Sequence, residues 1–394
     1  MEAKTIEWID RAIEPEFAHV CREYPVITIT GPRQSGKTSL ARHCCKGYAY
    51  ANLEAPEIRQ LAQTDPKAFF TAYPAPVIID EVQRVPELLS YIQVLADETS
   101  ERGQYILTGS HQMSLTAAIS QSLAGRTALL RLLPLSLAEL NAVEIVPSRD
   151  EALFKGFMPR LYHEPVRPGV LYSEYFQNYI ERDLRQLTAI RDLLLFEKFL
   201  RVLAGRVGQV INISSLAGDV GVARATLNEW LVVLETSFII FRLPPWFDNA
   251  NQRAIKTPKF YFTEPGLAAW LLEINNPSQV SRDPLLGNLF ENMVIAEALK
   301  TRLNAGRMPN LYFYRDAKGN EVDLILKQQR KLQPVEIKAA MTYSPDMAKG
   351  LTHFSRRFPG SLPGTVVYAG DLETQSDSLR LTNFRNTAAL ISMA

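Results

Sequence analysis

Over the first 140 positions, short runs of consecutive apolar residues alternate with stretches whose apolar positions recur every three or four residues. PVITIT (25–30), APVIID (75–80) and QYILTGS (104–110) are short, apolar and bounded by glycine or polar residues, the pattern of buried strands. Helical spacing resumes in SLARHCC and between the second and third runs, so the segment predicts the strand–helix alternation of a parallel α/β sheet. Ahead of it, Ile6, Ile13, Phe17 and Val20 suit one face of a lead-in helix over 5–22, which Pro15 interrupts. Farther along, YFQNYIERDLRQL and LLLFEKFLRVLAGR predict amphipathic connector helices. A short helix from near Ser214, a break at Gly221 and a longer helix from near Ala223 outline a helix-turn-helix. SFIIFRLPPW and IKTPKFYFTE then predict two strands of a hairpin wing. After the linker-like NPSQVSRDP (276–284), the order is α-β-β-β-α-β: a strong helix in LLGNLFENMVIAEALKTRL, strands at LYFYR, EVDLIL and PVEIK, a helix near 345–357 and a strand at TVVYAG.

Composition narrows the class. A chain of 394 residues exceeds one compact core, and 46% hydrophobic with 22% charged residues is ordinary for a folded globular protein. The net charge of +1 means that any nucleic-acid contact must come from local basic patches. Cys21, Cys44 and Cys45 form neither a disulfide framework nor a zinc pattern, which suits a reducing compartment. The N-terminus is charged where a secretory signal would be apolar, and no apolar run approaches the roughly 18–20 residues of a spanning helix, so a cytoplasmic protein without a membrane partner is expected.

Gly31-Pro32-Arg33-Gln34-Ser35-Gly36-Lys37-Thr38 matches GxxxxGK[ST] between a predicted strand and a predicted helix. The spacing has a physical basis: glycines let the loop wrap phosphates, backbone N–H groups face the negative charge, and Lys37 and Thr38 reach the β/γ-phosphates and Mg²⁺. Ser39 completes the nucleotide-binding segment. Asp80 and Glu81 close the run VII as a Walker B pair, Asp80 holding Mg²⁺ and Glu81 polarising the attacking water from a neighbouring parallel strand. No NKxD follows, which favours ATP over GTP. Ser110 reads either as a γ-phosphate sensor or as a capping serine. Arg126 reads either as an arginine finger in trans, which would make the working ATPase an oligomer, or as a structural arginine.

GPRQSGKT, VIIDEVQ, ILTGS, SLAGRTALLRLLPLSLAEL, YIERDL and KTPKFYFTEPGLAAWLL together resemble a bacterial and archaeal family of AAA+-like ATPases with a C-terminal domain of unknown function. The resemblance implies an AAA+-type ATPase domain with Lys37, Thr38, Asp80 and Glu81 in the Walker roles, and places Ser110 and Arg126 at the sensor and GR positions. One departure is FTEPGLA, with Glu264 and Pro265 in a segment expected to read FxDxGLA.

The helix near 223–235 offers Arg224, Thr226 and Asn228 where base-contacting residues lie, with Arg242, Arg253, Lys256 and Lys259 as wing contacts to phosphate; protein interaction is the competing use of the same module. The C-terminal order carries Glu291, Asp323, Glu336 and Lys338 and resembles the PD-(D/E)XK nuclease core. There Asp323 and Glu336 would share Mg²⁺, Lys338 would activate water and Glu291 would be an accessory ligand; the alternative is a charged strand surface, and Val322 stands where the name-giving proline would be. The expected architecture is α/β: a P-loop NTPase parallel sheet in 1–140, a helical connector in 141–206, a winged helix in 207–275 and a small restriction-endonuclease-like domain in 276–394. Two functions fit it: an ATPase whose state governs DNA engagement, or an ATP-driven switch binding protein partners.

Overall fold

The computed structural model describes residues 8–110, 122–183, 190, 192–246, 257–329 and 331–393. Strands β1 (Val26–Thr30), β2 (Ala49–Asn52), β3 (Val77–Asp80), β4 (Tyr105–Gly109) and β5 (Thr127–Arg131) form one sheet in the order β2-β3-β4-β1-β5. Every pairing is parallel, with Val26 opposite both Tyr105 and Thr127. Strands β1, β3 and β4 are buried on both faces because helices cover both. Helices α1 (Glu14–Glu23) and α2 (Lys37–Cys44) bring Phe17, Val20 and Leu40 onto Ile27, Ile29, Ile78 and Ile106. On the other face α3 (Pro56–Thr64), α4 (Pro66–Ala72) and α5 (Leu88–Asp97) bring Ala62, Phe69 and Leu89 onto Val77, Ile79 and Leu107.

Two details differ from expectation. The lead-in helix starts at Glu14, so Pro15 lies in its first turn, where the missing N–H costs nothing, and does not interrupt it. The strand carrying Asp80 does not neighbour β1, because β4 lies between them.

Beyond the sheet come α6 (Leu137–Ala142), α7 (Arg149–Lys155), α8 (Arg160–His163) and α9 (Pro168–Tyr175), the last continuing into a π-helical turn over Phe176–Asp183. Helix α10 (Leu193–Ala204) follows, and then α11 (Ile213–Val220), which ends at Gly221 with φ 93°, a left-handed conformation suited to glycine. Helix α12 (Arg224–Thr236) buries Leu227, Trp230, Leu231 and Leu234, and β6 (Ile240–Leu243) pairs antiparallel with β7 (Lys259–Phe262). After α13 (Pro265–Leu271), the 19-residue α14 (Leu286–Asn304) leads into a six-stranded sheet. Its strands are β8 (Leu311–Arg315), β9 (Glu321–Gln328), β10 (Lys331–Lys338), β11 (Gly364–Tyr368), β12 (Thr374–Gln375) and β13 (Leu379–Asn383), ordered β12-β13-β11-β10-β9-β8. Helix α15 (Lys349–Arg357) covers one face with Leu351 and Phe354, while α14 and α16 (Thr387–Ser392) cover the other. One hydrophobic core runs from Leu133 and Leu140 through Phe157, Leu203, Trp230 and Phe290 to Ile391.

Candidate active site

The loop after β1 is shaped by close approach. A Cβ on Gly31 would lie 2.0 Å from the Leu132 carbonyl oxygen, so only glycine fits there, and Gly36 at φ 92° turns the chain into α2. Lys37 is buried and donates to the carbonyls of Gly31 (3.1 Å) and Pro32 (2.8 Å). Burial pushes its ammonium down to about 8. Thr38 donates to Asp80 Oδ1 at 2.8 Å, Tyr50 donates to Asp80 Oδ2 at 3.0 Å, and Thr108 donates to Asp80 as well. Glu81 has φ 57°, a left-handed conformation that costs a non-glycine residue energy and recurs at functional positions. Its carboxylate accepts from Ser110 Oγ at 3.3 Å and from Gln83, and its N–H donates to Thr108 at 3.2 Å. The intervening strand β4 therefore supplies Thr108 to one acid and Ser110 to the other.

These groups line a cavity of about 530 Å³, within the ~300–1,000 Å³ of small-molecule sites. Arg33, Gln34, Gly36, Lys37, Thr38 and Ser39 form one wall, with Asp80 and Glu81 beside them, and Pro159, Arg160 and His163 face them from α8. Pro32 contributes its carbonyl to Lys37 and Ser35 is fully buried within the loop. The hard oxygen donors of Thr38 and Asp80, already adjacent, suit Mg²⁺, which takes one or two protein oxygens and leaves its other positions to water and phosphate. Arg126 is not brought here. It precedes β5 at the opposite end of the sheet and makes a paired contact with Asp97, 2.8 Å for its Nη2.

Sequence reasoning missed Tyr50, Thr108, Gln83 and Arg11. Gln83 and Thr108 lie inside VIIDEVQ and ILTGS, so those runs were the available signal. Arg11 had none: its buried guanidinium donates to the Ser35 carbonyl (2.9 Å), the Leu133 carbonyl (2.7 Å) and Glu139 (3.1 Å).

The C-terminal acids are arranged differently. Asp323 Oδ2 accepts from Lys338 Nζ at 2.9 Å and from the Ile337 N–H at 2.8 Å, and Lys338 also donates to Glu336. Burial and the nearby Asp323 push the Glu336 carboxyl up to about 9, whereas Lys338 and Lys259 hold Asp323 below its usual range despite burial. A Cβ on Gly350 of α15 would fall 2.0 Å from Glu336 Oε1, so that helix sits directly on the carboxyl. Among the described residues Glu291 makes no hydrogen bond to these acids, though it shares the charge of Lys259 with Asp323. It accepts from Lys259 (2.9 Å) and Tyr261 (2.6 Å), and burial pushes it up to about 7. Among the described residues, the single group of three or more ligand-type side chains lies elsewhere, at Asp10, Glu14 and His43.

The wing positions also change. Lys259 is 2% exposed and tied to Glu291 and Glu321, so it cannot meet a phosphate backbone; its burial is compensated by those two acids. Arg242 pairs with Glu235 at 2.8 Å, and Arg253 and Lys256 lie outside the described residues. On α12, Arg224 and Asn228 are exposed and Thr226 is half-buried. Glu264, the departure noted above, caps α13 by accepting from the Gly266 N–H at 3.1 Å, and also accepts from Phe157 N–H (2.9 Å) and Tyr172 (3.0 Å). Pro265 occupies that helix's first turn.

A strand-to-helix phosphate loop, two acids at the end of a parallel strand and a cavity beside them define the class of fold: the N-terminal part resembles a P-loop ATPase fold. Residues 23–141 match the model of an AAA domain, residues 147–278 a domain of unknown function (DUF8612) and residues 286–386 another (DUF4143). An uncharacterized protein of Mycobacterium tuberculosis is 29% identical over 324 residues, covering 81% of this chain and 71% of that one. An uncharacterized protein of Haemophilus influenzae is 22% identical over 372 residues, covering 84% and 86%. Among solved structures, a Walker-type ATPase of Pyrococcus abyssi aligns with TM-score 0.41 and 18% identity over 69% of this chain and 98% of that chain. Among the described residues no helix is long and apolar enough to cross a membrane.

Proposed function

We propose that the chain is a Mg²⁺-dependent ATPase acting as a conformational switch, its nucleotide state setting how the C-terminal two-thirds is held against the ATPase sheet. In this reading Mg²⁺, held by Thr38 and Asp80, neutralises charge on the ATP phosphates. Lys37 exchanges its bonds to Gly31 and Pro32 for phosphate oxygens. Glu81, positioned by Ser110 and Gln83, polarises the attacking water.

The observation that carries the switch is a continuous set of buried polar contacts leading out of the loop. Arg11 joins the Ser35 carbonyl to Leu133 and Glu139. Two residues on, the Leu135 carbonyl accepts from Lys300, and the Leu137 N–H donates to Glu297, both at 2.7 Å and both on α14. A shift of the loop on binding phosphate therefore bears on the helix that carries the C-terminal sheet. Hydrogen exchange of Glu81→Gln with and without ATP tests this: protection should change over 132–140 and 286–304, and should stop changing there when Arg11→Ala is added. Nucleotide-independent exchange in α14 would refute the coupling.

DNA engagement through a winged helix is the second reading, favoured by the exposed Arg224 and Asn228 at the start of α12. Fluorescence anisotropy of labelled duplex, with and without ATP, decides it: ATP-dependent binding lost in Arg224→Ala supports DNA, while binding to a protein partner alone supports the switch. With its lysines engaged by acids and α15 over Glu336, the nuclease-like cluster is expected to cleave no linear, single-stranded or branched DNA with Mg²⁺ or Mn²⁺. An in-trans role for Arg126 implies a homo-oligomer; mixing Arg126→Ala with Lys37→Ala chains restores turnover if it holds.

A further inference from the structure

A second cavity of about 800 Å³ lies where three parts of the molecule meet: the end of β5, the end of α12 with β6, and the end of α14 with the start of β8. Its walls are mainly apolar, including Leu133, Phe238, Phe241, Leu299 and Leu303. Three charged residues reach it. Two of them, Glu235 and Arg242, neutralise each other at 2.8 Å. The third, Arg131, makes no side-chain hydrogen bond or ion pair among the described residues, and burial lowers the pKa of its guanidinium.

A half-buried guanidinium against aliphatic and aromatic walls is an unfavourable arrangement unless an anion joins it. The guanidinium fork matches a carboxylate through two parallel hydrogen bonds, and such pairs strengthen where water is excluded. One cation without a partner among the described residues suits a single negative charge; a phosphate dianion would keep an uncompensated charge against the same walls. The volume is that of a site for a small molecule.

We propose that this cavity binds an amphiphilic monocarboxylate, a molecule with an apolar chain and one terminal carboxylate, with Arg131 taking the carboxylate and the aliphatic and aromatic wall taking the chain. The site is separate from the phosphate-loop cavity, with which it shares no lining residue.

The test is calorimetric titration of the full chain, free of nucleotide so that the result stands apart from the ATPase reading, with dodecanoate and with dodecan-1-ol below their aggregation concentrations. Saturable one-to-one binding of dodecanoate, at least about tenfold (about 1.4 kcal/mol) tighter than the alcohol, is expected from a charge-assisted bidentate contact. Arg131→Gln should erase the preference for the acid, and Leu303→Trp, which fills the apolar end, should remove binding of both probes with the circular-dichroism spectrum unchanged. Equal affinities for acid and alcohol on the unmodified chain, or no saturable binding of dodecanoate, would overturn the proposal without recourse to a variant. So would tight dodecanoate binding retained by Arg131→Gln.

Discussion

The molecule contains two clusters of acids and lysine that differ in how the positive charge is used. At the phosphate loop, Lys37 donates only to backbone carbonyls, and Asp80 and Glu81 accept from hydroxyl and side-chain amide donors beside a cavity. At the C-terminal sheet, Lys338 and Lys259 bond directly to Asp323, Glu336, Glu291 and Glu321, and a helix covers Glu336. The first cluster keeps its cation exchangeable for a ligand; the second consumes its cations internally. Residue types and spacing were alike suggestive of metal-assisted phosphate chemistry in both, so the deciding quantity is where each lysine's hydrogen bonds go.

The contrast can be broken at four points. Glu81→Gln should retain ATP binding while turnover falls by about 10²–10⁴, the range associated with a positioned general base; phosphate release against fluorescent-nucleotide titration separates the two. Lys259→Met should cost roughly 3–5 kcal/mol in urea unfolding, because it leaves Glu291 and Glu321 without their buried cation. A neutral result would mean that this cluster is not held by charge pairing. Lys37→Ala should weaken nucleotide by about ten- to a hundredfold with little change in the unfolding midpoint, the opposite signature. The last point concerns pH. With its folded pKa raised to about 9 against about 4.5 unfolded, Glu336 gives its full stabilising contribution below about pH 4.5 and loses it as pH rises towards 9, because the folded state then holds the extra proton. Glu336→Gln should therefore flatten the decline in stability between about pH 5 and 9, and an unchanged slope would assign the decline to other groups.

The phosphate loop and the Asp80–Glu81 pair were legible as candidates because their spacing is local: each lies at or just beyond the end of a strand. The helix break at Gly221 was legible for the same reason, a left-handed stop preceding a new helical run. The failures concern distance in sequence. Lys259 looks like a wing cation in IKTPKFYF, but its two acids lie 32 and 62 positions onward, and nothing local announces that pairing. The position of β4 between β1 and β3 is likewise a matter of strand order, which apolar runs do not encode. Arg11 reaches Glu139 across 128 positions, so a lone arginine in IDRAI carries no local sign of holding the phosphate loop.

Glu297 and Lys300 also bear on how such a chain can change over evolution. The matched segments 23–141, 147–278 and 286–386 look exchangeable when read as text, yet the buried Lys300 and Glu297 of the last bond the Leu135 carbonyl and the Leu137 N–H at the end of the first. Recombining the N-terminal segment with an unrelated C-terminal partner would leave that carbonyl and N–H, or the ammonium and carboxylate that meet them, without these bonds. Exchange of the first or the last segment alone is thus penalised at that junction, and the two are expected to be inherited, and to unfold, together.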